Sequence, residues 1–370
     1  MLRLVMRACA LAAVTVPAFA SPLAAKPVVE VAFVLDTTGS MGALIEGAKR
    51  KIWSIATSIL ECSPDAEIRM GLVAYRDIGD TYVTKTYELT TDIQDLYGNL
   101  LALRAQGGGD WPESVNEALE VAVRKLSWKE GRDSTRIVFL VGDAPPHMDY
   151  AQDTKYPDVM EMAKRRGIVV NAVQAGDARD TAKAWRGIAQ MGGGEYIPIP
   201  QDGGKIVVIE TPYDTEIIEL QKRVNRTVVP YGSRADKSRV EMQSAQIAAA
   251  PAASASDMAS YMNKRAKAAP VAEAVTGGGD LVADVAAGRK SLDQVKDEEL
   301  SDDLKAMKQD ERKTYLDQQL AERTSLNTNL AELVKKRDLY IADARKAEPK
   351  SGDSFDRVVE TTLRAQILRP

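Results

Sequence analysis

The sequence predicts an α/β fold: a three-layer, doubly wound, mostly parallel sheet with one antiparallel edge strand, followed by a separate α-helical C-terminal region. Three observations predict it. Between Val28 and Pro200, short β-branched apolar runs alternate with stretches of helical periodicity, the pattern of a parallel sheet covered on both faces. One pair of these runs is joined by a connection too short for a crossover, so that pair must be antiparallel. From Arg289 to Glu348 there is neither glycine nor proline, and 13 basic residues stand against 14 acidic ones, the balance of solvated helix faces.

The elements follow in order. Val28 to Leu35 is almost continuously apolar, as expected of a strand buried on both faces. Met41 to Glu61 carries Leu44, Ile45, Ala48, Ile52, Ile55, Ala56 and Ile59 at three-to-four spacing, a helix. Ile68–Tyr75 and Tyr82–Leu89 are strands joined through the turn Asp77-Ile78-Gly79-Asp80, the second being the edge. Helices are expected at 92–103 and 112–126, with Pro112 at a first-turn position. Then come a strand at 135–141, a helix at 153–166, a strand at 168–174, a helix at 180–190 and a strand at 195–199. A helix near 215–225 closes this first domain, assigned to residues 27–226.

Residues 227–275 are read as an Ala/Ser-rich linker, with 245–270 a linker or weak helix, because that stretch holds few bulky apolar residues and two prolines. A charged helical region at 276–348 and a tail at 349–370 complete the chain. The helical region carries a sparse seam of Leu304, Met307, Leu316, Leu320, Leu326, Leu330, Leu333 and Tyr340, interrupted by Glu311 and Arg337. Such a seam seeks a partner: another helix of this chain, or a second copy through self-association as a coiled coil, which the interruptions disfavour.

Residues 1–20 read as a signal peptide. Arg3 and Arg7 precede the apolar run Ala8–Val16, and Ala18-Phe19-Ala20 forms a small-x-small cleavage site before Ser21. The run is shorter than the roughly 20 residues a membrane span needs. The expectation is therefore a periplasmic or secreted protein, with no membrane span. The 49 basic and 53 acidic residues leave no electrostatic footprint for nucleic acid. A single histidine, His147, excludes a multi-histidine zinc site and reads as a turn residue after two prolines. Of two cysteines, Cys9 lies in the leader; Cys62 is left unpaired and reads as a small apolar residue at a helix end.

In a sheet of this kind ligands bind beyond the carboxyl ends of the strands. There the first strand runs into Asp36-Thr37-Thr38-Gly39-Ser40, placing three oxygen-bearing side chains, Asp36, Thr38 and Ser40, two residues apart. Gly107-Gly108-Gly109-Asp110-Trp111-Pro112-Glu113 delivers Asp110 to the same edge, and Val141-Gly142-Asp143 ends a buried strand in a carboxylate. Short oxygen donors converging from three loops suit a hard divalent cation such as Mg²⁺ or Ca²⁺. Trp111 and Glu113 lie beside this set as ligand contacts; Glu113 also reads as a first-turn acid complementing a helix dipole.

This constellation resembles the von Willebrand factor A domain (vWA) and its metal-ion-dependent adhesion site, over roughly residues 28–200. The family's first loop, Asp-x-Ser/Thr-x-Ser, is matched by Asp36, Thr38 and Ser40, its second-loop threonine falls at Asp110, and its third-loop aspartate at Asp143. The resemblance implies a Rossmann-like fold and a non-enzymatic protein-binding module whose cation takes a carboxylate from an unknown protein partner. Asp110 in place of threonine makes three carboxylates against one dication, which disfavours an acidic partner and admits Ca²⁺. Two other readings are weighed. One is a Mg²⁺-dependent aspartyl-phosphate phosphatase using Asp36, for which Thr37 stands where a lysine is needed. The other is a structural scaffold acting through residues 276–348.

Overall fold

Nearly continuous apolar character, interrupted by Glu30, makes strand β1 (Val28–Asp36) the axis of the sheet. In the computed structural model, which describes residues 26–131, 134–204, 209–268, 273–276, 278–347 and 355–368, β1 pairs in parallel with β2 (Glu67–Tyr75) and with β4 (Ser134–Gly142). β5 (Ile168–Ala175) and β6 (Gly193–Ile199) extend the parallel sheet beyond β4. β3 (Thr84–Thr90) runs antiparallel along β2, so the order is β3-β2-β1-β4-β5-β6 with the expected edge. The winding reverses between β1 and β4, and a crevice opens at such a point. The expected signal peptide lies outside the described residues.

Alternate residues of β1 serve opposite layers. Val29, Val31 and Leu35 pack with helices α1 (Gly42–Cys62) and α2 (Ile93–Ala102). Ala32 and Val34 pack with α3 (Val115–Glu120), α4 (Tyr156–Arg165) and α5 (Arg179–Met191). α3 continues into a π-helical turn, Val121–Lys125. It begins three residues after Pro112, so Pro112 and Glu113 belong to the preceding loop.

Of the two readings of the Ala/Ser-rich segment, linker or weak helix, the helical one holds: after α6 (Asp214–Arg226) come α7 (Arg234–Ala249), α8 (Ala252–Ala268) and α9 (Glu273–Thr276). Alanine is the strongest helix former, and small side chains let α8 lie close against α1. Met258, Tyr261 and Met262 of α8 enter the core on the α1 side, where Tyr261 meets Trp53 at 5.5 Å between ring centroids. The expected tail contains α13 (Phe355–Ile367), whose Phe355, Val359 and Leu363 are buried in that same core. Asn171 of β5 and Gln366 of α13 exchange amide hydrogen bonds of 3.0 and 2.7 Å. The C-terminal region is thus helical as expected, but it completes a layer of the sheet domain.

Between α9 and the longest helix lie α10 (Leu281–Ala286) and α11 (Asp302–Lys305). α12 (Gln309–Ala347) is one helix of 39 residues, about 58 Å long at 1.5 Å per residue. Its seam finds partners within the chain: Leu326, Leu330, Leu333 and Val334 pack with Ile217, Leu220 and Val224 of α6 and Ala259 of α8. Arg337 interrupts the seam and is satisfied there by Asp214 (2.7 Å) and Asp257 (2.5 Å). Glu311 lies outside the seam, accepting the Lys308 amide at the helix start. Among the described residues no helix is long and apolar enough to cross a membrane. Cys62, half-buried at the end of α1, is unpaired, and burial pushes its thiol up.

Candidate functional site

The loop after β1 is stitched to the Gly-rich loop after α2. The Thr37 carbonyl accepts from the Gln106 amide at 3.0 Å, and the Gly39 amide donates to Gly107 O at 3.2 Å. Gly107 has φ +80°, and a Cβ there would meet the Asp80 carboxylate at 2.1 Å, so only glycine passes. Glu113 ties this second loop to the third: its amide donates to Pro145 O (3.0 Å) and its carbonyl accepts from the His147 amide (3.1 Å). At the end of β4, a Cβ on Gly142 would lie 2.4 Å from the Tyr75 hydroxyl and 3.0 Å from Asp36 Cβ. The absent side chain lets Tyr75, Asp36 and Asp143 crowd together.

Asp36 is fully buried; its Oδ1 accepts the Thr38 amide (2.8 Å) and the Thr38 hydroxyl (2.7 Å). The Thr38 and Ser40 hydroxyls are 3.4 Å apart. Asp143 is buried, held by Gln201 Nε2 on its Oδ2 at 2.6 Å, while Thr181 donates to its carbonyl. Thr37 turns away into the protein, donating to Tyr75 O and sharing a hydrogen bond with Tyr82 Oη.

Glu113 is buried beneath these loops, 4% exposed. Asp36 Oδ2 and Glu113 Oε2 are both buried without a hydrogen-bond partner, as is the Tyr75 hydroxyl. Burial raises the Asp36 carboxyl to about 7, with Asp143 adding to the rise against hydrogen bonds from Thr38. Burial raises Glu113 to about 9, reinforced by Asp36, Asp77, Asp80 and Asp143. Burial also drives Tyr75 well above its ordinary value, with the same three acids, Asp36, Glu113 and Asp143, adding to the rise. Among the described residues no lysine or arginine forms an ion pair with Asp36, Glu113 or Asp143. Orphaned carboxylate oxygens beside hydroxyl donors are an all-oxygen set that fits a hard divalent cation.

Asp36, Thr38, Ser40 and Asp143 thus lie close together at this edge. Asp110 lies elsewhere on the same edge: its carboxylate approaches His147, 3.5 Å from Nε2, and groups with Asp77. Among the described residues no hydrogen bond or ion pair joins it to Asp36, Thr38, Ser40 or Asp143. A third carboxylate near Asp36 is Glu113, expected as a ligand contact or a first-turn acid and found in the loop before α3. Trp111 anchors its loop by donating to Asp180 Oδ2 (2.7 Å), with its ring 48% exposed. His147 is a turn residue in position, yet its ring is buried among acids, a role that sequence reasoning missed along with that of Asp77.

Residues 30–201 match the family model described as von Willebrand factor A domain, and this part of the chain is such a domain. Similar curated proteins include an ariadne-like RING finger protein of Acanthamoeba polyphaga mimivirus, 32% identical over 32% of this chain and 11% of its own length. The α-protein kinase vwkA of Dictyostelium discoideum is 28% identical over 32% of this chain and 19% of its own. Von Willebrand factor A domain-containing protein 7 of Rattus norvegicus is 37% identical over 26% and 10%. The chain thus spans under a fifth of the length of these relatives. Among solved structures, the conserved hypothetical protein BatB from Bacteroides thetaiotaomicron is 19% identical at a TM-score of 0.35, over 46% of this chain and 89% of that one. The SpRpn10 VWA domain is 13% identical at 0.37, over 48% and 89%.

Proposed function

We propose that this chain is a non-enzymatic, divalent-metal-dependent protein-binding module, exported to the periplasm or beyond, acting in adhesion or envelope assembly. The residues that would hold the cation, Mg²⁺ or Ca²⁺, are Asp36, Thr38, Ser40 and Asp143, with Glu113 behind them. The observation that carries this reading is the pair of buried carboxylate oxygens, Asp36 Oδ2 and Glu113 Oε2, that no proton donor satisfies. A bound cation supplies the missing positive charge and an open position for a partner's carboxylate. Thr38 orients Asp36, and Gln201 fixes Asp143. The loops after β2, α2 and β4 also expose apolar side chains, Ile78, Trp111 and Met148, each close to half accessible, as a docking rim does. Export rests on the leader residues Arg3, Arg7 and Ala8–Ala20.

The phosphatase reading is disfavoured, because Thr37 points into the protein and, among the described residues, no basic side chain pairs with Asp36 to neutralise a phosphoryl group. The test is capture of envelope proteins on the immobilised full chain in Mg²⁺ and in EDTA, with Asp36→Asn as control. Partners should be retained by wild type in Mg²⁺ and lost in the other two. Retention of the same proteins in EDTA and by Asp36→Asn would overturn the proposal.

A further inference from the structure

The second acidic group at the loop edge has a chemistry the first lacks. It contains a nitrogen. His147 is 4% exposed, and its Nε2 is buried without a hydrogen-bond partner. That atom faces Asp77 Oδ2 at 3.6 Å and Asp110 Oδ2 at 3.5 Å. A protonated Nε2 between two carboxylates would close on one of them to hydrogen-bond distance, about 2.7–2.9 Å. Here it stands off from both. Donors around a tetrahedral cation with bonds of ~2.0–2.1 Å lie about 3.4 Å apart, close to the spacing seen.

The surroundings fix each donor. His147 Nδ1 is 2.8 Å from Asp149 Oδ1; an ionised carboxylate only accepts, so Nδ1 carries the proton and Nε2 presents its lone pair to Asp77 and Asp110. Tyr150 stacks on the imidazole at 3.9 Å between centroids and 9° between planes. Its hydroxyl donates to Asp77 Oδ2 (2.8 Å), and Ser114 donates to Asp77 Oδ1 (2.8 Å), so Asp77 is held from both sides. Asp110 is the exposed member, its side chain 63% accessible. Two carboxylates balance the charge of a dication, and three protein donors leave a coordination position open to solvent.

We infer that Asp77, Asp110 and His147 form a second cation site, selective for a borderline transition metal of the Zn²⁺ class, beside the oxygen-only site at Asp36. One imidazole nitrogen with two carboxylates suits such metals, whereas Mg²⁺ and Ca²⁺ take oxygen donors. The two sites share loops, since Glu113 lends its carbonyl to the His147 amide and its neighbour Ser114 holds Asp77. They share no proposed ligand.

The single histidine makes the test direct. The untagged full chain is labelled with ¹⁵N-histidine and titrated with Zn²⁺ in excess Mg²⁺, following the one imidazole by NMR. One equivalent of Zn²⁺ should move the Nε2 resonance while the Nδ1 proton stays. Asp77→Asn and Asp110→Asn should each weaken this response by about tenfold or more. Asp36→Asn should leave it intact, so failure of the Mg²⁺ site and failure of this one read out separately. An Nε2 resonance that Zn²⁺ does not move, or moves equally in the Asp77→Asn and Asp110→Asn proteins, overturns the inference.

Discussion

Buried carboxylates occur in two regions of this molecule and are treated differently. In the sheet and among the C-terminal helices several meet a basic side chain, Asp356 among them with Lys51. Asp280, 1% exposed, pairs with Arg323, itself fully buried, which also donates to Thr227. Arg337 bridges Asp214 and Asp257, and Glu30 in the middle of the sheet meets Arg69 and Arg136. At the loop edge Asp36, Glu113 and Asp143 are buried to a similar degree, with no lysine or arginine ion pair among the described residues. Burying an ionised carboxylate without compensation is strongly unfavourable, so the second arrangement persists only with protons or a cation in place of arginine. The same chain solves the problem with fixed charges where rigidity suffices and leaves it open where something is to bind.

The largest effects should come from breaking the closed solution. Arg323→Met leaves Asp280 buried and unpaired and should cost about 3–5 kcal/mol in urea denaturation. Asp36→Asn removes an acid that has no partner, so in EDTA it should cost far less, or stabilise. Equal losses from the two substitutions would erase the distinction drawn between the regions.

A second consequence concerns pH. Asp36 is raised to about 7 in the folded protein from an ordinary value of 3.8, so the folded state holds more protons than the unfolded chain between those values. The stability this proton confers on the metal-free protein is fully present below about pH 4 and lost as pH rises through about 7. The fall is at most about 1.4 kcal/mol for each pH unit crossed. Glu113, raised to about 9, extends the fall toward alkaline pH. Thermal melts in EDTA between pH 4 and 9 should show this decline, less steep below about pH 7 in Asp36→Asn, where Glu113 alone of the two still contributes. A metal-free wild type that gains stability from pH 5 to 8 would contradict it.

How much of this was legible beforehand differs between the same regions. Asp36, Thr38 and Ser40 are contiguous and follow an apolar strand, and Asp143 ends another; local sequence was enough. Glu113 was read as a ligand contact beside the set or as a first-turn acid, because Pro112 looks like a first helical residue, while the helix starts at Val115 and leaves Glu113 buried in the loop. His147 and Asp77 look like turn residues singly and become a cluster only when the loops after β2 and β4 meet. The α8 and α13 helices were hidden for other reasons. Alanine and serine carry little hydrophobic periodicity, and α13 packs on α1 from about 300 residues away, beyond any pattern a window can detect. That docking sharpens the comparison further: Phe355→Ala should cost about 3–5 kcal/mol, as for a core residue of the sheet domain. A loss below 1 kcal/mol would return α13 to the status of a tail.

A smaller effect separates the acids within the open site. If Glu113 is neutral without metal and ionises beside the cation, Mg²⁺ binding near pH 7.5 should release a proton, up to about one. Calorimetry in two buffers of different ionisation enthalpy measures this number, which should drop in Glu113→Gln. Identical proton release in both proteins would remove Glu113 from the site.

The central claim is that the loop edge lacks its positive charge until a cation binds. Titration calorimetry of EDTA-stripped full chain with Mg²⁺ tests it most directly, followed on the same samples by the melting temperature. Wild type should bind Mg²⁺ and, at 100 times the dissociation constant, gain about 2.7 kcal/mol of stability. Asp36→Asn and Asp143→Asn should show neither heat nor shift, while Asp110→Asn should retain both. Mg²⁺ binding that is absent from wild type, or undiminished in Asp36→Asn and Asp143→Asn, would contradict the account.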